Sequence, residues 1–570
     1  LIVLACCLLK LPAQSVKVED LSLHDRIAQL IVVRGYGDFP SNEDGEYKRF
    51  RHWIEDDHVG GFIVAGRIRN GNVIPAQPFE MAAFINHTQA EAKVPLLVAS
   101  DFERGASMRV AGTARFPYMM AFGAVGDLGA TRELGLATAR EARALGVTWV
   151  FAPDADVNNN PDNPVINIRS FGEDPQAVNQ EVVAFIEGAH SDPANYILLS
   201  AKHFPGHGDT AQDSHMQLAR LDQSKERIEQ VELTPFRGAI AHGIDSVMTA
   251  HMAVPAFEPQ AIPATVSHSI ITNLLRDELD FRGIIVTDAM EMQGVAALYS
   301  PGEGAVRAVE AGVDVLLMPT DVAACITAIE AAIKSGRLSE ERINASAKRI
   351  IAAKERAGLF TERYVQLDQI TQKLDATKLD GLAESVAERA LTLVKDEKHL
   401  FPLPTPSAPC LVVLGEGSFP TRGETLAREM TRRFPSLKVF PASSSMPDSL
   451  LSAYATGTVA CKQIYVAAFV TVAANRGSVN LEGGLSGLLA ALIKGPAPVA
   501  LISFGNPYLL KNFPDVSAYM AAFSTAVTSE TAVAKAIGGE ISIGGKMPVS
   551  VPGFAKIGDG LVVAARKPTA

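Results

Sequence analysis

A (β/α)8 barrel followed by a smaller α/β sandwich is the architecture that this 570-residue sequence predicts. Three observations carry the prediction. Short apolar, β-branched runs alternate with amphipathic helical stretches over the first part of the chain. Nearly every run ends on a polar or charged residue. After a charged connector, "HLFPLPTPSAP" resets the pattern and a second strand series begins.

Taken in chain order, residues 1–14 stand apart. "LIVLACCLLKLPAQS" is an apolar run ending in small residues near Ala13, too short to span a bilayer, and it reads as the remainder of a secretory signal peptide. The expectation is export, to the periplasm or outside the cell. Cys6 in "VLAC", similar to a lipobox, is an alternative lipid anchor. No other segment is long and apolar enough to form a transmembrane span.

Residues 20–360 are expected to form the barrel. Its strand candidates are "AQLIVVRG" (28–35), "GGFIVAG" (60–66), "PLLVASD" (95–101), "TWVFAPDADV" (148–157), "ILLSAKHF" (197–204), "DSVMTAHM" (245–252), "GIIVTDAM" (283–290) and "DVLLMPTD" (314–321). Eight strands in about 300 residues suit a closed barrel better than an open sheet. Helical stretches between them, such as "ATRELGLATAREARALG", carry apolar residues at three- and four-residue spacing. The polar strand ends are Asp101, Asp154, Asp156, Lys202, His203, His251, Asp288 and Asp321. In a barrel such ends converge on one mouth, although an aspartate after a strand is commonly a helix N-cap, the simplest reading of Asp321.

Residues 361–398 read as a charged helical linker and 399–570 as the sandwich, with strands in "CLVVLGEG", "LKVFPAS", "QIYVAAFV", "PVALISFGNPY" and "AYMAAFS". The turns "LGEGS" and "SFGNPY" match no phosphate-binding glycine pattern, so a nucleotide is not implied, and no cofactor is expected. A formal charge of −11 argues against nucleic acid as a partner. Beyond the leader, Cys325, Cys410 and Cys461 form no CxxC pair and are odd in number. They read as small buried hydrophobes, with neither a disulfide framework nor a thiolate zinc site.

The chemistry concentrates at the strand ends. Asp288, in "IIVTDAMEMQG", is charged at neutral pH and can attack an electrophilic carbon without an activating base, unless it only caps a helix. In "AKHFPGHGDTAQDSH" (201–215), Asp213 precedes His215 by two residues. A carboxylate there fixes the imidazole tautomer and favours its protonated form, giving a proton donor and acceptor. Pro205, Gly206 and Gly208 supply the irregular backbone of this loop. Zinc is the rival reading, since His203, His207, Asp209, Asp213 and His215 are ligand types, although His203 and His207 straddle Pro-Gly and cannot share a helix face. Asp101, Arg109, Arg169 and Lys202 suit a polyol ligand, or else buried ion pairs.

"KHFPGHGDTAQDSH", "DVNNNPDNPVINIRSFGEDP" (156–175) and "TDAMEMQG" together resemble, in order, the blocks of glycoside hydrolase family 3 in its β-N-acetylglucosaminidase branch. The resemblance extends over both domains, through "IGGKMPVSVPG" near the end. It implies that Asp288 is the nucleophile, that His215 paired with Asp213 is the general acid/base, and that Asp101, Arg109, Arg169, Lys202 and His203 hold N-acetylglucosamine. One block departs. Where the family usually runs Asp-x-Glu-Gly-Gly, this chain has "DFERGASMR", so Arg104 and Ala106 replace smaller or more flexible positions.

The implied activity is that of a retaining exo-β-N-acetylglucosaminidase, acting on peptidoglycan fragments or chitooligosaccharides through a glycosyl-Asp288 intermediate. A histidine is neutral once it has given up its proton and does not repel phosphate, so a phosphorylase is the alternative. A β-glucosidase or an inactive sugar-binding protein stand further off.

Overall fold

The computed structural model describes residues 16–69, 72–374, 376–404, 407–417, 421–472 and 475–566. Residues 1–14, expected to be a signal remainder, and Cys6 among them lie outside the described residues. No helix among the described residues is long and apolar enough to cross a membrane.

Eight parallel strands form the first sheet: β1 (Ile31–Gly35), β2 (Gly61–Val64), β3 (Leu97–Ser100), β4 (Trp149–Val150), β5 (Leu198–Phe204), β6 (Ser246–Thr249), β7 (Ile284–Thr287) and β8 (Leu316–Leu317). The order runs β7-β6-β5-β4-β3-β2-β1-β8. A parallel bridge between Val286 and Val315 closes the ring, so the sheet is a barrel. β1, β2, β3, β5, β6 and β7 lie where the β-branched runs placed them, and their residues are almost all buried. β4 is shorter than its apolar run. Pro153 cannot donate to a ladder, and the backbone beyond it turns to meet β5, with the Ala155 N–H donating to the Lys202 carbonyl at 2.7 Å. Asp321 is a helix cap, accepting the Ala324 N–H at 2.9 Å.

The second sheet comprises β9 (Thr392–Asp396), β10 (Pro409–Gly415), β11 (Lys438–Ser443), β12 (Gln463–Ala468), β13 (Val499–Ser503) and β14 (Ala518–Ala521). Its order is β9-β14-β13-β12-β10-β11, parallel apart from the β9 edge. Period-two alternation explains its double-sided core. Cys410, Val412 and Leu414 join the apolar cluster shared with the barrel, while Leu411 and Val413 join a separate cluster on the far face.

Two expectations are corrected here. Thr392–Asp396, placed in the linker, is an edge strand antiparallel to β14. An antiparallel edge leaves its outer residues near solvent, and the mixed "TLVKD" therefore reads as connector from sequence alone. Cys410 and Cys461 are joined by a disulfide, with Cα atoms 5.8 Å apart. They lie 51 positions apart along the chain, but β10 and β12 are neighbours, so the sheet brings them together. Cys325 is free and buried.

The sandwich docks on the 156–175 block of the barrel. The Asn158 side-chain amide donates to the Tyr508 hydroxyl at 2.8 Å, and that of Asn167 to Asn506 Oδ1 at 3.3 Å. The Glu173 N–H donates to the Pro548 carbonyl at 3.0 Å, and the Glu173 carboxylate accepts from Ser550.

Candidate active site

At the barrel mouth, a lattice of alternating charges links the ends of β3 and β5. Arg109 Nη2 donates to Asp101 Oδ2 at 3.0 Å, and Lys202 Nζ donates to Asp101 Oδ1 at 3.1 Å. Lys202 Nζ also lies 2.8 Å from Glu103 Oε1. Arg169 grips Glu103 with two bonds, from Nη2 at 2.7 Å and Nε at 3.1 Å. Burial alone pushes the Asp101 carboxyl up, but Lys202 and Arg109 overcome it and hold the group below its ordinary value. Burial works against Lys202 in the same way, and Glu103 and Asp101 outweigh it, keeping the ammonium charged. Two fixed anions and three fixed cations at one mouth form a set of donors and acceptors suited to sugar hydroxyls.

His203 sits beside this lattice, where its Nδ1 lies 2.8 Å from Asp156 Oδ2 and its Nε2 lies 3.4 Å from Arg169 Nη2. Burial, with Arg169 next, lowers its pKa to about 4, so the ring is neutral at physiological pH. Asp156 also accepts the backbone N–H groups of His203 and His207, pinning the start of the loop. From the other side, the Asn163 amide donates to the carbonyls of His207 at 2.8 Å and Gly208 at 3.1 Å. Gly208 admits no side chain, because a Cβ there would lie 1.9 Å from the Val157 carbonyl oxygen.

Asp288 follows β7, its N–H bonded to the Thr249 carbonyl at 3.1 Å and its Oδ1 accepting the Ala289 N–H at 2.7 Å. Burial pushes this carboxyl up. His203, His251, His215 and the Ala289 N–H oppose that and hold it at about 2. It is an anion throughout the neutral range, as a carboxylate nucleophile requires. His215 stands on the loop after β5, with Nδ1 2.8 Å from Asp213 Oδ1, which also accepts the His215 N–H at 2.9 Å. Two backbone bonds lay this loop against the turn after Asp288: Gln293 N–H to the His215 carbonyl (3.4 Å) and Gly294 N–H to the Ser214 carbonyl (3.2 Å).

The structure thus gathers Asp101, Arg109, Arg169, Lys202, His203, Asp288 and the Asp213–His215 pair around one mouth. It does not assemble the rival zinc set. His207 faces the hydroxyls of Ser214 and Thr210, and Asp209 accepts from Gln223. Among the described residues, the ligand types that converge are Asp154, Asp156 and His203, all buried. Glu103, which the sequence did not single out, and Asp156, expected only as a polar strand end, are the partners of these residues. Both stood in the sequence blocks already singled out, Glu103 two positions after Asp101 and Asp156 at a strand end. Arg104, the departure from the family pattern, turns aside: its Nη1 donates to the Phe116 carbonyl at 3.2 Å and its guanidinium lies 4.7 Å above the Tyr118 ring. A separate cleft of about 290 Å³ lies between the ends of β1 and β8, lined by Arg34, Tyr36, Trp53 and Glu291 among others. None of the eight residues above lines it.

Residues 22–353 match the glycosyl hydrolase family 3 N terminal domain. A β-N-acetylglucosaminidase/β-glucosidase of Cellulomonas fimi is 27% identical over 519 residues, covering 87% of this chain and 91% of that protein. Beta-hexosaminidase A of Pseudoalteromonas piscicida is 36% identical over 292 residues, 47% of this chain and 48% of that protein. The solved structure of a glycoside hydrolase family 3 β-N-acetylglucosaminidase from a Paenibacillus species is similar with a TM-score of 0.82 and 32% identity. That similarity covers 93% of this chain and 99% of the other.

Proposed function

The chain belongs to glycosyl hydrolase family 3 and is a glycoside hydrolase, and on that premise we propose that it is a retaining exo-β-N-acetylglucosaminidase. Its substrates are peptidoglycan fragments or chitooligosaccharides bearing a terminal N-acetylglucosamine. The observation that carries this reading is the backbone pairing of the Ser214–His215 segment with the turn following Asp288, which sets a carboxylate and an imidazole at one mouth. The names of the Cellulomonas, Pseudoalteromonas and Paenibacillus proteins support the choice of sugar.

Asp288 attacks the anomeric carbon as His215, protonated and held by Asp213, gives its proton to the leaving oxygen. The C–O bond to the leaving group breaks as the Asp288 ester forms. Neutral His215 then takes a proton from water, which displaces Asp288 and regenerates the starting state. Asp101, Arg109, Arg169, Lys202 and His203 hold the sugar. Export belongs to the same proposal, and the Cys410–Cys461 disulfide fits an oxidising compartment.

The test compares aryl β-N-acetylglucosaminide with aryl β-glucoside, then chitobiose with muropeptides, and looks by mass spectrometry for a glycosyl ester on Asp288. Preference for the glucoside, or label on another residue, refutes the reading. A second reading follows from the imidazole itself. Once neutral, His215 offers an incoming phosphate no negative charge, so phosphate can replace water as acceptor. Excess phosphate should then give the sugar 1-phosphate, and its absence removes this alternative.

A further inference from the structure

Asp213 uses its two oxygens differently. The side chain is only 2% exposed, and Oδ1 serves His215 through both the ring and the backbone. Among the described residues, the hydrogen bond accepted by Oδ2 comes from the N–H of Gly477, at 3.4 Å. Gly477 belongs to the sandwich, 264 positions further along the chain. The same turn meets the residue after His215, since a Cβ on Gly477 would lie 3.5 Å from Met216 Sδ.

This turn is built. Gly477 has φ +70°, in the left-handed region that favours glycine. Arg476 beside it is 10% exposed and pairs with Glu416, just past β10, and with Glu482 at 2.8 Å. It also donates to the carbonyls of Thr471 at 3.0 Å and Asn480 at 2.7 Å. Asn506 fastens the segment from below, donating to the Val479 carbonyl at 2.6 Å while accepting from Asn167 of the barrel.

We propose that Arg476 and Gly477 are positioning residues by which the second domain sets the Asp213 carboxylate, so that the proton donor is complete only with the two domains docked. The inference rests on His215 being that donor. A histidine anchored by a carboxylate is only as well oriented as the carboxylate, and a loop is fixed only by what touches it. The neighbouring groups agree with this assignment. Burial raises the Asp213 carboxyl, the His215 contacts lower it, and the Gly477 N–H adds to the lowering, for a net shift below its ordinary value.

Arg476→Ala frees the turn, Arg476→Lys keeps a cation there, and Gly477→Ala disfavours the left-handed backbone with little steric conflict. Each is assayed as the full chain, with a thermal melt, on an activated aryl glycoside and an unactivated disaccharide of whichever sugar the wild type cleaves. A wrong sugar therefore overturns the proposed function and leaves this test intact. Arg476→Ala and Gly477→Ala should lose about 10- to 100-fold in kcat on the disaccharide and about threefold or less on the aryl substrate. Arg476→Lys should recover part of the loss. The acid limb of the kcat/KM profile should move to higher pH, because Asp213 regains its proton more readily once the Gly477 N–H is displaced from it. Equal losses on both substrates with an unmoved acid limb overturn the inference. So does full activity in a Gly477→Ala protein that melts like the wild type.

Discussion

Asp288 and His215 are held at the same mouth by different means. Asp288 directly follows β7, where the barrel ladder and the bonds to Thr249 and Ala289 fix it. His215 lies on a loop, keeps 30% of its side chain exposed, and is anchored by Asp213, which in turn touches the second domain. In the proposed mechanism the nucleophile is therefore held by barrel residues, whereas the carboxylate behind the proton donor also touches the second domain. Asp154 extends the contrast. It too sits at a barrel strand end, but burial and then Asp156 push its pKa up to about 8, so it is protonated where Asp288 is an anion. One residue type takes opposite charge states at one mouth according to its neighbours.

Replacing Asp288 by Ala should have the largest effect, a loss of about 10⁴-fold or more in kcat on every substrate, checked by steady-state kinetics. An unequal loss across leaving groups would break the comparison, because the nucleophile is needed whatever departs. For His215→Ala the loss should depend on the leaving group: about 10³-fold on a disaccharide and about tenfold on an activated aryl glycoside. Equal loss on both would remove His215 as the donor.

Cys410→Ser sharpens the division between the domains. Opening a cross-link over 51 positions should cost about 2–4 kcal/mol, read as a lower Tm of the sandwich by calorimetry. If donor placement depends on docking, the activity ratio of disaccharide to aryl substrate should fall before the barrel melts.

The last effect, on the pH dependence of stability, is expected at Asp154. Its carboxyl is raised from 3.8 in the unfolded chain to about 8 in the fold. The stability contributed by the bound proton is thus complete below about pH 4 and is lost as pH rises through about 8. Asp154→Asn stays neutral throughout, so its Tm should decline less than that of the wild type between pH 5 and pH 8. Parallel Tm curves would show that Asp154 is ionised in the fold.

The barrel was legible because its signals are local. β-branched runs, helical spacing and a polar residue closing each strand are properties of short stretches, and the barrel turns them into one mouth holding Asp101, Lys202, His203 and Asp288. The loop glycines were legible for the same reason. The edge strand β9 was not, since a strand half open to solvent lacks the continuous apolar run of its buried neighbours. The Cys410–Cys461 pairing was not either, because no sequence spacing specifies which strands lie side by side.

Sequence alone therefore determined the barrel elements, their order and the residue types delivered to the mouth, since alternation along strands and helices is written into adjacent residues. Tertiary structure alone decided the partners. Glu103 meets Arg169 across 66 positions, Asp156 meets His203 across 47, and Gly477 meets Asp213 across 264. It also decided that Asp154 keeps a proton while Asp288 does not. The physical reason is that ionisation and orientation depend on burial and on the charges within a few ångströms, and only the folded chain brings those together.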